Sequence, residues 1–320
     1  MEQQTLISEI GADTLNGLSA NPKYLLSKYF YDDQGSSIFQ DIMQMSEYYL
    51  TDCEFEIFST HRKQITNAFK DGVQGFDLIE LGSGDGLKTK VLLQFLMDSS
   101  VSFRYIPIDI SHKANVELVS SLEKELPLLN VSAQTGDYFQ EVKKLNGHSG
   151  LRKVILFLGS NIGNFSEEEI DLFFSQLSGL CHQGDRVLIG FDLKKSPDVI
   201  MNAYNDPHGH TEKFNLNHLL RLNKELNANF NPANFEHHTE YNPETGRVKS
   251  FLVSKTKQTV SVGDLDKDFH FNPWETIFME LSQKFDCQGI EKLAQDHGFK
   301  VVENFTDKRN YFVDSLWQKI

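Results

Sequence analysis

Five short apolar runs, separated by amphipathic stretches, organise the middle of the chain. FDLIEL (76–81), FRYIPIDI (103–110), VSAQTGDY (131–138), KVILFLG (153–159) and RVLIGFDL (186–193) read as strands. Between them, KTKVLLQFLMD, KANVELVSSLEKEL and SEEEIDLFFSQLSGLC repeat apolar residues at helical spacing. The last opens with Ser166 and Glu169 in capping-box spacing. Alternation of this kind predicts an α/β domain whose parallel sheet is covered on both faces.

After Leu193 the alternation stops. Residues 194–283 are rich in Asn and aromatics and read as helices followed by GRVKSFLVSKTKQTVSV, an alternating stretch that predicts a β-hairpin or meander. Further on, GIEKLAQDHGF predicts a helix stopped by Gly298, and KVVENFTDKRNYFVDSLWQ predicts two strands around a polar turn. That tail resumes the α/β domain, so residues 194–283 read as an insertion on which the N-terminal 55 residues pack. No internal repeat or low-complexity tract interrupts the pattern.

Composition narrows the partners. With 320 residues, 39% hydrophobic and 24% charged, the chain is that of a globular protein with a sizeable core. Its net charge of -14 repels phosphate backbones and anionic membranes, which argues against nucleic acid or a membrane as partner. Cys53, Cys181 and Cys287 are far apart and suit reduced thiols rather than a disulfide framework. The opening MEQQTLISEIGADTL has no signal-peptide pattern, and no apolar run approaches the roughly 18 residues of a membrane span. A cytoplasmic location is expected.

The chemistry begins at ELGSGDG, which sets Gly82, Gly84 and Gly86 at a strand-to-helix turn. Glycine is needed there because side chains would block the backbone's approach to a ligand. A dinucleotide fold would show G-x-G-x-x-G; here the third glycine comes one residue early and Leu87 takes its place. Asp109 closes the next strand, where a carboxylate can accept both ribose hydroxyls. Asp137 closes the one after, where an acid often meets an adenine amino group, and Glu80 stands just before the glycines. The C-terminal hairpin fits a Rossmann-like methyltransferase, whose last strand is antiparallel, better than a nicotinamide domain. The cofactor read from these features is S-adenosylmethionine (AdoMet).

Longer stretches carry a resemblance. KYFYDDQGSSIFQDIMQMSEYYLTDCE (28–54), ELGSGDGLKT, LGSNIGNF (158–165), AYNDPHGHTEKFNLNHLLRLNKELNANF (203–230) and ETIFMELSQKF (275–285) are similar to the histidine N-alpha-methyltransferases of ergothioneine biosynthesis. That family converts L-histidine to its trimethyl betaine, hercynine, with three AdoMet. The resemblance runs from about residue 22 to 318. It implies a class I methyltransferase domain over 56–193 and 284–320, and an α+β substrate-binding domain from 1–55 and 194–283.

It also implies roles for single residues. Tyr48 and Asn164 hold the substrate amine, and Tyr31 and Phe39 line the methyl-transfer chamber. Tyr204 and Thr211 fall at substrate positions, Tyr204 at one that binds the carboxylate. Glu280 and Ser282 hydrogen-bond the imidazole. Gly82, Ser83, Gly84, Lys88, Asp109 and Asp137 fall at cofactor positions, with Glu80 beside them. L-Histidine is the implied partner, and a monomer is expected. At one place the chain departs from the family: where members carry a Met against the imidazole, the matching residue is Ser250. The glycine loop, GSGDGLKT, also differs from the Ser- and Thr-containing version of many members.

Taken one at a time, the same residues admit plainer readings. Tyr31, Phe39, Tyr48 and Tyr49 could be core aromatics, Asn164 a turn residue and Glu280 an exposed charge. His208, His210, His237 and His238 lack the spacing of a ligand motif and read as solvated loop histidines, so no metal is expected. Three alternatives stay open: the same chemistry on another amino acid or small amine, an AdoMet binder without activity, and a nicotinamide oxidoreductase.

Overall fold

The computed structural model describes residues 8–145 and 150–320. In chain order the elements begin with α1 (Glu9–Ser19), β1 (Lys23–Tyr24), α2 (Asp33–Met43) and α3 (Tyr49–Lys70). Then follow β2 (Gly75–Leu81), α4 (Thr89–Asp98), β3 (Ser102–Asp109), α5 (His112–Glu125), β4 (Gln134–Thr135), α6 (Tyr138–Leu145), β5 (Arg152–Phe157), α7 (Glu167–Leu180) and β6 (Arg186–Asp192). Next come α8 (Pro197–Tyr204), α9 (His210–Glu225), β7 (Phe235–Asn242), β8 (Arg247–Ser254), β9 (Gln258–Val262), β10 (Lys267–Phe271) and β11 (Thr276–Gln283). The chain closes with α10 (Cys287–Asp296), β12 (Phe299–Thr306) and β13 (Phe312–Lys319). It divides into two compact units, Met1–Tyr49 with Lys195–Ser282, and Leu50–Lys194 with Gln283–Ile320.

The second unit is built on a seven-stranded sheet in the order β12-β13-β6-β5-β2-β3-β4. β2 and β6 are apolar along nearly their whole length because both their faces are covered, and every residue in each is buried. β3, β2, β5 and β6 run parallel. β13 runs antiparallel to both β6 and β12, the C-terminal hairpin that the sequence predicts for an AdoMet domain. Trp317 of β13 anchors this end: fully buried, it lies 5.0 Å from Phe174 and 5.9 Å from Phe191 between ring centroids. Removing such a side chain costs about 3–5 kcal/mol. The capping box is present, Ser166 accepting from Glu169 N while the Glu169 carboxylate accepts from Ser166 N.

One expectation fails in this unit. VSAQTGDY is not a full strand: only Gln134 and Thr135 pair, with Ile108 and Asp109, and Val131 adds a single bridge to Tyr105. The segment lies at the sheet edge, where its Ser, Gln and Thr have little apolar surface to bury. Asp137 therefore sits two residues beyond the strand and caps α6, accepting from Gln140 N at 3.0 Å.

The first unit holds a four-stranded sheet, β1-β11-β8-β7, and a two-stranded sheet, β10-β9. The N-terminal segment enters through β1, whose Lys23 and Tyr24 pair in parallel with Ile277 and Phe278. Its core joins Leu25, Phe30, Ile42 and Met45 to Phe214, Leu219, Leu252, Ile277 and Met279. The stretch GRVKSFLVSKTKQTVSV does give two strands, but they are not each other's partners. β8 pairs with β7, and β9 pairs with β10. His237 and His238 are accordingly strand residues and not loop residues. His237 Nε2 lies 3.0 Å from the Tyr204 carbonyl, and burial lowers its pKa.

Candidate active site

In the α/β unit, the loop after β2 has the shape a ligand requires. Gly82 and Gly84 lie at φ +71° and +53°, backbone that L side chains rarely adopt. A Cβ on Gly84 would meet nothing within 4 Å, so the backbone there faces open space. Ser83 Oγ is buried and has no hydrogen-bond partner among the described residues, a polar atom placed for a ligand. Asp109 ends β3 with its carboxylate oriented by Ser111 N at 2.8 Å. These features, with α4 starting directly after the loop, fit the amino-acid part and ribose of AdoMet.

Glu80 lies beneath this loop. It is buried, and Thr89 Oγ1 donates to its Oε1 at 2.6 Å while the Tyr105 hydroxyl donates to Oε2. Burial pushes its pKa up to about 7, against the opposing pull of those two donors and Lys88. Its carboxylate thus ties the start of α4 to β3 and supports the loop from within. Lys88, at the N-cap of α4, pairs with Glu54 of α3.

Asn164 closes a 3₁₀ turn, Asn161–Asn164, at the carboxyl end of β5. Ser160 enters that turn at φ +57°, a conformation that costs a non-glycine residue roughly 1 kcal/mol or more. Its Oγ accepts from Asp192 N at 3.0 Å, which helps hold the turn in place. Phe165 follows, its ring 5.7 Å from that of Phe173.

In the other unit, the fold gathers residues from separate parts of the chain around Tyr31. The Tyr31 ring meets Phe39 at 5.4 Å and Phe214 at 5.5 Å, both edge-on. Phe39 in turn lies 6.1 Å from Tyr48 and 5.7 Å from Phe214. Tyr31 keeps 48% of its surface exposed, yet its hydroxyl pKa is raised well above the usual value, first by burial and then by Glu280, Tyr48 and Tyr204. Tyr31, Phe39, Tyr48, Tyr204 and Glu280 are therefore neighbours, and Tyr31 stays a neutral phenol at physiological pH.

Further contacts hold Tyr204 in place. The Tyr204 hydroxyl and Ser282 Oγ are 2.9 Å apart, and the Tyr204 carbonyl lies 2.9 Å from Thr239 Oγ1. Thr239 is the cross-strand partner of Ser250, which is buried on β8. Thr211 stands in the first turn of α9, its N–H donating to Asp206 Oδ1 at 2.8 Å. Phe214, three residues on, is the wall residue that sequence reading did not single out. Its only sequence signal is being an aromatic within the polar run TEKFNLNH.

The chain matches the family described as histidine-specific, SAM-dependent methyltransferases along residues 10–319. It is 32% identical to the histidine N-alpha-methyltransferase of Mycobacterium tuberculosis, over 96% of this chain and 94% of that one. With the histidine N-alpha-methyltransferase of Mycolicibacterium smegmatis it shares 34% over 95% and 93%. The ergothioneine biosynthesis protein 1 of Schizosaccharomyces pombe is 28% identical over 88% of this chain and 37% of its own length. Among the described residues, no helix is long and apolar enough to cross a membrane. With the glycine loop, Asp109 at its strand end and the antiparallel last strand, the family match over residues 10–319 establishes that the chain belongs to the histidine-specific, AdoMet-dependent methyltransferase family.

Proposed function

We propose that the enzyme methylates the α-amino nitrogen of L-histidine three times, giving the betaine hercynine. The observation that carries this reading is the grouping of Tyr31, Tyr48, Tyr204 and Glu280 beside the aromatic wall of Phe39 and Phe214. In this reading, the unit of Met1–Tyr49 and Lys195–Ser282 binds the amino acid, and the α/β unit binds AdoMet through Gly82, Ser83, Gly84, Lys88, Asp109 and Asp137.

Bound AdoMet supplies a methyl group activated by its sulfonium. The chain's own residues then have three tasks. The first is to present a neutral amine, a task the family resemblance gives to the Tyr48 hydroxyl and the Asn164 side-chain carbonyl, each able to accept one of its hydrogens. Each new transfer would need the amine to have released a proton to solvent, so that its lone pair is free.

The second task is to tolerate the cation that accumulates. The faces of Phe39 and Phe214 attract a methylated ammonium by about 0.5–2 kcal/mol without competing as nucleophiles. Tyr31, kept neutral, adds an aromatic ring and no competing phenolate.

The third is to recognise the side chain. Glu280 accepts the imidazole N–H, and Ser282, held by Tyr204, serves the ring from a fixed position. Thr211 and Tyr204 are assigned to the carboxylate end, and Ser250 to the imidazole wall. Buried hydrogen bonds of this kind discriminate strongly against substrates that lack the matching group. The test is stoichiometry: three S-adenosylhomocysteine released per histidine consumed is expected, and a limit of one would refute trimethylation.

A further inference from the structure

Glu54 of α3 is fully buried and belongs to none of the roles described so far. Gly159 N–H donates to both of its oxygens, at 2.8 and 3.1 Å, and Lys88 Nζ pairs with it. Its seat depends on Gly190 of β6, where a Cβ would stand 2.5 Å from Oε1. Asp314 of β13 is also fully buried nearby; burial, and then the charge of Glu54, raise its pKa well above the ordinary carboxylate range. On Lys88, burial alone would lower the pKa, but Glu54 outweighs it and the net shift is upward.

Stability is a poor reason for such an arrangement, because buried ion pairs are often matched or surpassed by apolar residues of similar size. Geometry offers a better one. Lys88 ends the glycine loop, and Gly159 begins the turn that carries Asn164. A single carboxylate therefore holds the cofactor loop and the amine-side turn of the same unit. The Lys88 side chain keeps 24% of its surface exposed while its ammonium is held by Glu54.

We infer that Glu54 is a positioning residue for methyl transfer, aiming the Lys88 ammonium at the carboxylate of AdoMet and fixing the Gly159–Asn164 turn. The inference rests on the reading of Lys88 as a cofactor residue. Its two arms separate experimentally. Glu54→Gln keeps an oxygen for Gly159 N–H but removes the charge that pairs with Lys88. Glu54→Leu removes both arms.

The experiment is steady-state kinetics on the full chain with thermal denaturation alongside. For Glu54→Gln the AdoMet KM should rise about tenfold, the scale of a charge-assisted contact, with kcat and the histidine KM changed less than about threefold. Glu54→Leu should in addition lower kcat. An unchanged AdoMet KM in Glu54→Gln overturns the inference, as does a parallel loss of every parameter with the melting temperature. Should that variant not fold, Gly190→Ala displaces the same carboxylate and carries the same expectation and the same contradiction. Lys88→Met distinguishes the two failures. An unchanged AdoMet KM there defeats the reading of Lys88, whereas a raised KM there with none in Glu54→Gln defeats the role of Glu54 alone.

Discussion

The Tyr204 hydroxyl lies 2.9 Å from Ser282 Oγ, joining the last residue of α8 to β11. Each residue fixes the other, so in the proposed reading the groups for the carboxylate and imidazole ends of the substrate are coupled. Ser282→Ala removes a neutral hydrogen bond worth about 1 kcal/mol, and the histidine KM should rise roughly fivefold. Tyr204→Phe should act similarly, and the double variant should cost less than the sum of the two. Strictly additive effects would show that the pair is not coupled.

In the proposed reading Glu280 carries the larger share of specificity. A hydrogen bond to a charged group is worth about 1.5–3 kcal/mol, so Glu280→Ala should raise the histidine KM by roughly 10- to 100-fold. AdoMet binding, measured by calorimetric titration, should be unchanged. Equal weakening of both ligands would remove Glu280 from imidazole recognition.

Phe214 should govern the last methyl transfer. Phe214→Leu keeps an apolar side chain in the core but removes the ring face 5.5 Å from Tyr31. The loss of cation–π attraction, about 0.5–2 kcal/mol, falls mainly on the methylated, cationic intermediates. Time courses followed by mass spectrometry should show the dimethyl species accumulating in the variant. An unchanged product distribution would make Phe214 a packing residue only.

Glu80 links stability to pH. Its carboxyl, ordinarily at 4.5, is raised to about 7 in the fold by burial. The folded state therefore holds the proton more tightly than the unfolded chain does. The stability contributed by the neutral acid is fully present below pH 4.5 and is lost as pH rises through 7. Across that window the loss is about 3 kcal/mol. Glu80→Gln lacks this titration, so its stability relative to the parent should improve from pH 5 to pH 8 in denaturant titrations. A difference that does not vary with pH would contradict this.

The parallel sheet is legible in the sequence because burial on both faces forces near-continuous apolar runs. β2 and β6 show this, and so do the glycine loop and the Ser166–Glu169 cap. The insertion is less legible for two physical reasons. FEHHTEYN buries only Phe235 and Thr239, so its alternation is hidden among polar residues. Strand pairing is also non-local: β1 contributes two residues, and their partners are Ile277 and Phe278 near the other end of the chain. Candidate residues carried by unusual motifs, such as Tyr31 and Glu280, could be singled out from sequence. Phe214 and Glu54 could not, since what distinguishes them is the neighbours that folding supplies.

The most direct measurement is mass spectrometry of the purified protein with AdoMet and each of the twenty amino acids in turn. The account predicts that histidine alone gains one, two and then three methyl groups. Methylation of a different amino acid, with histidine untouched, would contradict it and move the error to Glu280, Ser282 and Ser250.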